Sequence, residues 1–216
     1  MTYVRGSKQR TQRTTVISEA EFNEALQNAD KFKNEYFRLR AKAVLSLFRL
    51  TGKRCGEIAH VPLANFRVEG DFLNVTFILE KKRKQSLLQK LSTKSLPLND
   101  ELTQHILRYL AYLNELETRP RYWLPSGKSV FGNYILIPDK HLTRKQVFNI
   151  VRESSKTIWC HLFRETVASD IIRQDNTVIA AFKVQRRLDL ESYTTGFNYL
   201  RRFASDVIQR ENLAAS

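Results

Sequence analysis

One short alternating stretch in an otherwise helix-patterned chain limits this sequence to few architectures. Leu73, Val75, Phe77 and Leu79 alternate with Asn74, Thr76 and Ile78, which is the period of a partly exposed strand. Elsewhere apolar residues mostly fall three and four apart. Tyr36, Leu39, Ala43, Val44, Leu47 and Phe48 form one such stripe, and Leu102, Ile106, Leu107, Leu110 and Leu113 form another. A return strand around Ser95–Leu98 would close the alternating stretch into a hairpin. The pattern predicts a mainly α-helical fold with a small antiparallel β-sheet.

Local signals place the boundaries. Ser18 followed by Glu21 is a capping box ahead of Phe22, Ala25 and Leu26. The next helix should stop at Thr51-Gly52, before a short turn or helix from Lys53 to His60. Asn99 or Asp100 caps the helix after the hairpin. Residues 118–142 hold three prolines and two glycines and read as irregular, with a short strand at Tyr134–Ile137. Thr143 with Gln146 is a second capping box, opening a helix through Lys156. From His161 the chain reads as helix, broken near Asp175-Asn176, near Leu188–Glu191 and again around Gly196. Residues 1–17 carry four basic and no acidic side chains and are expected to be a flexible basic arm, leaving 18–216 as one domain.

Charge narrows the partner. The 216 residues carry 36 Lys+Arg against 22 Asp+Glu, a formal charge of +14, which favours a polyanion and nucleic acid above all. No window approaches 18 consecutive apolar residues, so no membrane span is expected. The first twenty residues lack the apolar segment of a secretory signal. Cys55 and Cys160 stand 105 positions apart, with neither a CxxC pair nor a disulfide framework, and fit a reducing compartment.

Four features carry possible chemistry. Arg54 and Glu57 share a helix face, either as a carboxylate orienting a guanidinium or as an ordinary surface ion pair. His161 and Arg164 face the same way if a helix begins there, with Leu162 and Phe163 packing on either side. An arginine fork grips two phosphate oxygens, and an imidazole donates to one or moves a proton. Tyr193 and Tyr199 lie beside Gly196, ahead of Arg201-Arg202. A phenol of pKa about 10 is about one part in a thousand ionised at pH 7, a deficit of about 4 kcal/mol, so as a nucleophile it needs cationic neighbours. Finally, Lys81, Lys82, Arg83, Lys84, Lys90 and Lys94 put six positive charges and no negative one on the hairpin tip, as backbone grip or as a source of one general acid.

Leu50-Thr51-Gly52-Lys53-Arg54-Cys55-Gly56-Glu57-Ile58 resembles the first arginine box of the tyrosine recombinases, or integrases, usually Leu-Thr-Gly-x-Arg-x-x-Glu-Leu. His161-Leu162-Phe163-Arg164-Glu165-Thr166-Val167-Ala168 resembles their second box, His-x-Leu-Arg-His-Thr-x-Ala. Leu188 through Tyr199 resembles the terminal box, Leu-Gly-His-x-Ser followed by Thr and the nucleophilic Tyr. The resemblance covers roughly residues 16–210. It implies the recombinase catalytic-domain fold. It also implies that Arg54 and Arg164 clamp the scissile phosphate, His161 assists proton transfer, and Tyr199 attacks phosphorus, with Tyr193 as the alternative nucleophile. A hairpin lysine would protonate the leaving 5′ oxygen, Lys81 first, then Lys82 or Lys84. Arg83, Lys90, Lys94, Arg201 and Arg202 are expected to bind DNA, and Glu57 to support Arg54. The implied product is a 3′-phosphotyrosyl link, religated with neither ATP nor metal nor other cofactor.

The terminal box departs from the family pattern. Its usual His is Leu190, so Lys183, Arg186 or Arg187 would have to supply the missing donor. The His after the second arginine is Glu165, and the Gly after Leu188 is Asp189. These departures admit a catalytically weakened or inactive DNA-binding protein on the same fold. A type IB topoisomerase or a telomere resolvase would use similar chemistry. The resemblance further implies double-stranded DNA as partner, self-association into a dimer or tetramer on DNA with a monomer in its absence, and a cytoplasmic or nucleoid location, in a host cell if a mobile element encodes the chain. Family members usually carry another helical domain ahead of this one, so an excised catalytic fragment and a short single-domain member are both expected readings. Residues 203–213, with Phe203, Val207, Ile208 and Leu213 apolar, would form a helix that docks on a neighbouring protomer or on its own domain.

Overall fold

Helix α1 (Glu19–Asp30) starts as its capping box requires: Ser18 Oγ accepts from the Glu21 N–H at 3.2 Å and Glu21 Oε2 accepts from the Ser18 N–H at 2.9 Å. The computed structural model describes residues 16–80, 90–131, 133–175 and 177–214. Ile17, the last residue of the expected arm, is buried, and its N–H donates to Thr166 Oγ1 at 2.8 Å.

Helix α2 (Glu35–Thr51) is the axis of the molecule. Ala41, Val44, Leu45, Ser46, Leu47 and Phe48 are all buried, so the helix is covered on every side rather than along one stripe. Around it pack α1, α4 (Glu101–Asn114), α5 (Arg144–Ser154) and α6 (Cys160–Gln174). Phe48 stacks on Phe163 at 5.2 Å between ring centroids, and Phe22 meets the same ring edge-on at 6.1 Å. Such pairs add about 0.5–1.5 kcal/mol to the area they bury. They also fix α6, and with it Arg164, against the C-terminal end of α2. That end is closed by Gly52 in the left-handed region, φ 60°, with its N–H on Phe48 O at 2.9 Å. The short helix α3 (Cys55–Ala59) follows.

The alternating stretch is strand β2 (Phe72–Ile78), paired antiparallel with β3 (Leu91–Pro97) and with an edge strand β1 (Phe66–Glu69), in the order β1-β2-β3. Three of the four β1 residues are exposed, so no apolar pattern announced it. Leu73, Val75 and Phe77 point inward from β2, and Ser92, Lys94 and Leu96 from β3.

Residues 118–142 are more ordered than their prolines and glycines suggest. Strand β4 (Pro125–Val130) pairs antiparallel with β5 (Asn133–His141), with a register shift between Pro125 and Ser126. Long-range contacts support this second hairpin: Tyr134 stacks on Tyr36 at 5.8 Å, and nearby Trp123 Nε1 donates to Ile58 O at 2.6 Å.

Helices α7 (Val178–Leu188) and α8 (Tyr193–Ala214) complete the chain. The break expected at Gly196 is absent, and α8 runs through it. A Cβ on Gly196 would lie 2.5 Å from the Ala181 carbonyl oxygen, so the glycine serves close approach of α8 to α7. Val167, Ala168, Ile172, Ala180, Val184, Leu188 and Phe203 form the small core between α6, α7 and α8, with Tyr199 and Leu190 at its margin. Phe203 thus packs on its own chain. The side chains of Val207, Ile208 and Leu213 lie outside the described residues. Among the described residues no helix is long and apolar enough to cross a membrane.

Candidate active site

Arg54 is the N-cap of α3, and Glu57 holds both ends of it. The Glu57 carboxylate accepts from the Arg54 backbone N–H at 2.9 Å and from Nη1 at 2.9 Å. Its side chain is 1% exposed while that of Arg54 is 24% exposed. A buried carboxylate that caps a helix and holds a partly open guanidinium is a positioning device, not a solvated surface pair.

Arg164 approaches from α6 and is 4% exposed. Nη1 donates to Gly52 O at 2.9 Å and Nη2 to Leu188 O, so the end of α2 and the end of α7 both grip one guanidinium. Burial lowers its pKa and the positive charge of Arg54 lowers it further, while Tyr199 and Glu57 oppose the shift. Two guanidinium groups brought close enough to repel form a natural seat for an anion.

Tyr199 lies on α8, half-buried, near enough to Arg164 for the guanidinium to act on its phenol, and its ring stacks on Phe203 at 6.3 Å. Burial raises the phenol pKa, Glu165 raises it too, and Arg164 and Arg202 pull it back. His161 Nε2 lies 2.9 Å from Glu165 Oε1, and Arg202 Nη1 lies 2.8 Å from Glu165 Oε2. Glu165, itself nearly buried, therefore ties the exposed His161 to the tyrosine helix.

Behind Arg164 lies a charged cluster that no motif in the sequence announces. Asp189 takes the left-handed conformation, φ 49°, at the end of α7. Its Oδ2 is 2.6 Å from Lys53 Nζ, and its Oδ1 accepts from Ser92 Oγ at 2.8 Å and from Lys94 Nζ at 3.3 Å. Lys53 is fully buried and its ammonium sits over the Phe77 ring at 4.6 Å. Burial lowers the Lys53 pKa to about 8 against the pull of Asp189, and burial likewise lowers that of Lys94. Burial alone would raise the Asp189 carboxyl, but Lys53 and Lys94 overcome it and hold it low. Lys53 and Asp189 directly follow Gly52 and Leu188, the two residues whose carbonyls hold Arg164.

The other expected residues fall as follows. Lys94 was expected among the exposed cations of the tip, yet it is 8% exposed and turned inward, because β3 begins earlier than expected and Lys94 takes an inward register position. Lys183 pairs with Asp175 at 2.7 Å on the surface, and Arg186 is exposed, its carbonyl accepting from Lys94 at 3.1 Å. Arg187 Nη2 donates to Leu50 O. Tyr193 is exposed and lies edge-on to Phe182 at 5.3 Å. Lys90 lies at the foot of β3, its carbonyl accepting from the Leu79 N–H at 2.8 Å, and Arg201 is exposed on α8. Lys81, Lys82, Arg83 and Lys84 lie outside the described residues. The signal for the missed cluster was a pair of departures: a lysine in the variable place of the first box and an aspartate in the glycine place of the last.

This mainly helical architecture with its small antiparallel sheet is the fold of tyrosine recombinase catalytic domains. It matches XerA recombinase over 92% of this chain and 66% of that one, at 15% identity and a TM-score of 0.62. It matches XerH site-specific recombinase, in a post-cleavage complex with a palindromic difH substrate, over 93% and 53%, at 16% identity and 0.64. A lambda integrase dimer bound to a COC′ core site matches over 91% and 50%, at 15% identity and 0.56. The chain spans about half to two thirds of the length of these proteins. No protein-family model matches the sequence, and no curated protein does.

Proposed function

We propose that the chain is the catalytic part of a tyrosine recombinase, cleaving and rejoining double-stranded DNA through a covalent 3′-phosphotyrosyl intermediate. The observation that carries this reading is the convergence of Arg54 and Tyr199 on Arg164, whose guanidinium feels the charge of the one and acts on the phenol of the other. A phosphodiester seated between the arginines relieves their repulsion and sets phosphorus before the phenol. As Tyr199 attacks, charge grows on the non-bridging oxygens, and the arginines stabilise it; losing one such donor typically costs about 10²–10³ in rate. His161, turned from Glu165 toward the phosphate, would supply a further donor. The acid for the leaving 5′ oxygen is assigned to the hairpin, Lys81 first, with Lys82 and Lys84 after it. Arg83, Lys90, Arg201 and Arg202 are assigned to the DNA backbone, and assembly to a dimer or tetramer on DNA.

The test uses the full chain and duplexes selected for binding from randomised DNA, then nicked near the candidate cleavage point so that a cut strand cannot religate. A denaturation-resistant protein–DNA adduct in the wild type, absent in Tyr199→Phe with binding retained, is the expected result. Selective binding without any adduct would instead place the chain among DNA-binding proteins that keep the fold without the chemistry. Relaxation of supercoils without strand exchange, or hairpin ends, would shift the reading to a topoisomerase or a resolvase.

A further inference from the structure

Cys55 and Cys160, 105 positions apart, bring their Sγ atoms to 3.6 Å, and both thiols are free. Their place in the fold is unusual. Cys55 opens α3 directly after Arg54, and Cys160 opens α6 directly before His161. They keep 7% and 8% of their surface exposed. A disulfide holds its sulfurs about 2 Å apart, so closure must bring the two sulfurs closer by roughly 1.5 Å.

We propose that Cys55 and Cys160 form a reversible dithiol–disulfide site, and that closing it shifts the segments carrying Arg54, His161 and Arg164 and weakens their grip on a phosphate. The first half stands on the thiol geometry alone; the second rests on the recombinase reading. Cys55 is the attacking group, since the Cys160 thiol donates to it and holds its pKa below the ordinary value, while Cys160 is raised. The oxidant is a low-molecular-weight disulfide. The Cys55 thiolate attacks one of its sulfurs, forming a mixed disulfide and expelling one thiolate, which takes up a proton. Cys160, deprotonated, then attacks Cys55 Sγ and expels the second thiolate. Two protein thiols lose two electrons and two protons, and one external disulfide becomes two thiols. Interiors this close-packed do not absorb an ångström locally, so the movement passes to the arginine and histidine beside each cysteine.

The experiment treats the full chain with oxidised glutathione or with dithiothreitol, then alkylates, maps peptides and measures DNA cleavage and affinity on the nicked duplex. The oxidised wild type is expected to yield one species in which the Cys55 and Cys160 peptides are joined. Adduct formation should fall by about 10- to 100-fold, the range for a catalytic group misplaced by an ångström, and return with dithiothreitol. Checked for unchanged circular dichroism, Cys55→Ser should ignore the oxidant, and Cys160→Ser should stop at the mixed disulfide and yield no joined peptides. Both thiols remaining alkylatable in the folded oxidised protein overturns the proposal. So does a joined form that cleaves and binds DNA like the reduced one. If the reduced protein cleaves nothing, it is the recombinase reading that fails; the peptide map then still decides the first half, and DNA affinity of the joined form, expected to fall, decides the second.

Discussion

Asp189→Asn removes the one carboxylate that faces both buried lysines while keeping the shape and the tolerance of the left-handed conformation. Its cost has a calculable ceiling for Lys53, because a lysine left without its partner can shed its proton. Carrying the charge with a pKa of about 8 instead of 10.5 already costs about 3 kcal/mol, and giving up the proton altogether at pH 7 costs about 5 kcal/mol. The substitution therefore adds about 1–2 kcal/mol through Lys53. Lys94, also buried and also held by Asp189, adds a contribution of the same sign. The expected total is about 2–4 kcal/mol, overlapping the lower part of the range of about 3–5 kcal/mol for a buried pair broken on one side. Urea unfolding at pH 7 should show a lower midpoint with an unchanged slope. The pH dependence has a definite sign. Between about 8 and 10.5 the unfolded chain holds a proton that folded Lys53 has released, so stability rises with pH there. Without Asp189 the window opens at lower pH. Adding Lys53→Met should recover part of the loss. A change under about 0.5 kcal/mol, or strictly additive single and double variants, would refute the coupling.

Two further outcomes follow from the tyrosine helix. Gly196→Ala drives a methyl group toward the Ala181 carbonyl, 2.5 Å away, and must push α8 off α7. It should cost about 1–3 kcal/mol in urea unfolding and disturb Tyr199 three residues on; wild-type stability and adduct yield together would show that the close approach is dispensable. Glu165→Gln removes a negative charge that raises the Tyr199 pKa. The phenol should then ionise at lower pH, read by NMR of carbon-labelled tyrosine against Tyr199→Phe, and an unmoved titration would contradict the assignment.

What was legible in the sequence was whatever local chemistry decides. Ser18 with Glu21, Thr143 with Gln146, and Gly52 each satisfy or end a helix within a few residues, and each does so in the structure. The β2–β3 hairpin was legible because one of its faces is buried and the other is not. Strand β1 was not, being exposed at its edge; of the β4–β5 hairpin only the Tyr134–Ile137 stretch of β5 was, because Tyr36 and Ile58 hold its neighbourhood from far along the chain. Gly196 misled for a related reason: a glycine that ends a helix and one that admits a neighbouring helix look alike until the neighbour is known. At the site, Arg54, Glu57, Arg164, His161 and Tyr199 could be named from their boxes. The joining roles of Glu165 and Asp189 could not, since each depends on partners between 30 and 140 residues away.

The departures at positions 53 and 189 make physical sense only together. A glycine at 189 would take φ 49° without strain, and an aspartate there accepts a cost of up to about 1–2 kcal/mol. What it gains is a carboxylate between Lys53 and Lys94 that offsets the cost of burying both ammonium groups. The pair then joins the residue after Gly52 to the residue after Leu188, and the carbonyls of those two neighbours are the acceptors that aim Arg164. Around Arg164 and Arg54 the charges of Lys53, Lys94, Glu57 and Asp189 leave two more cations than anions. For the proposed reaction that excess suits a phosphorane, which carries more negative charge than the diester it forms from, so the surplus stabilises the transition state more than the ground state.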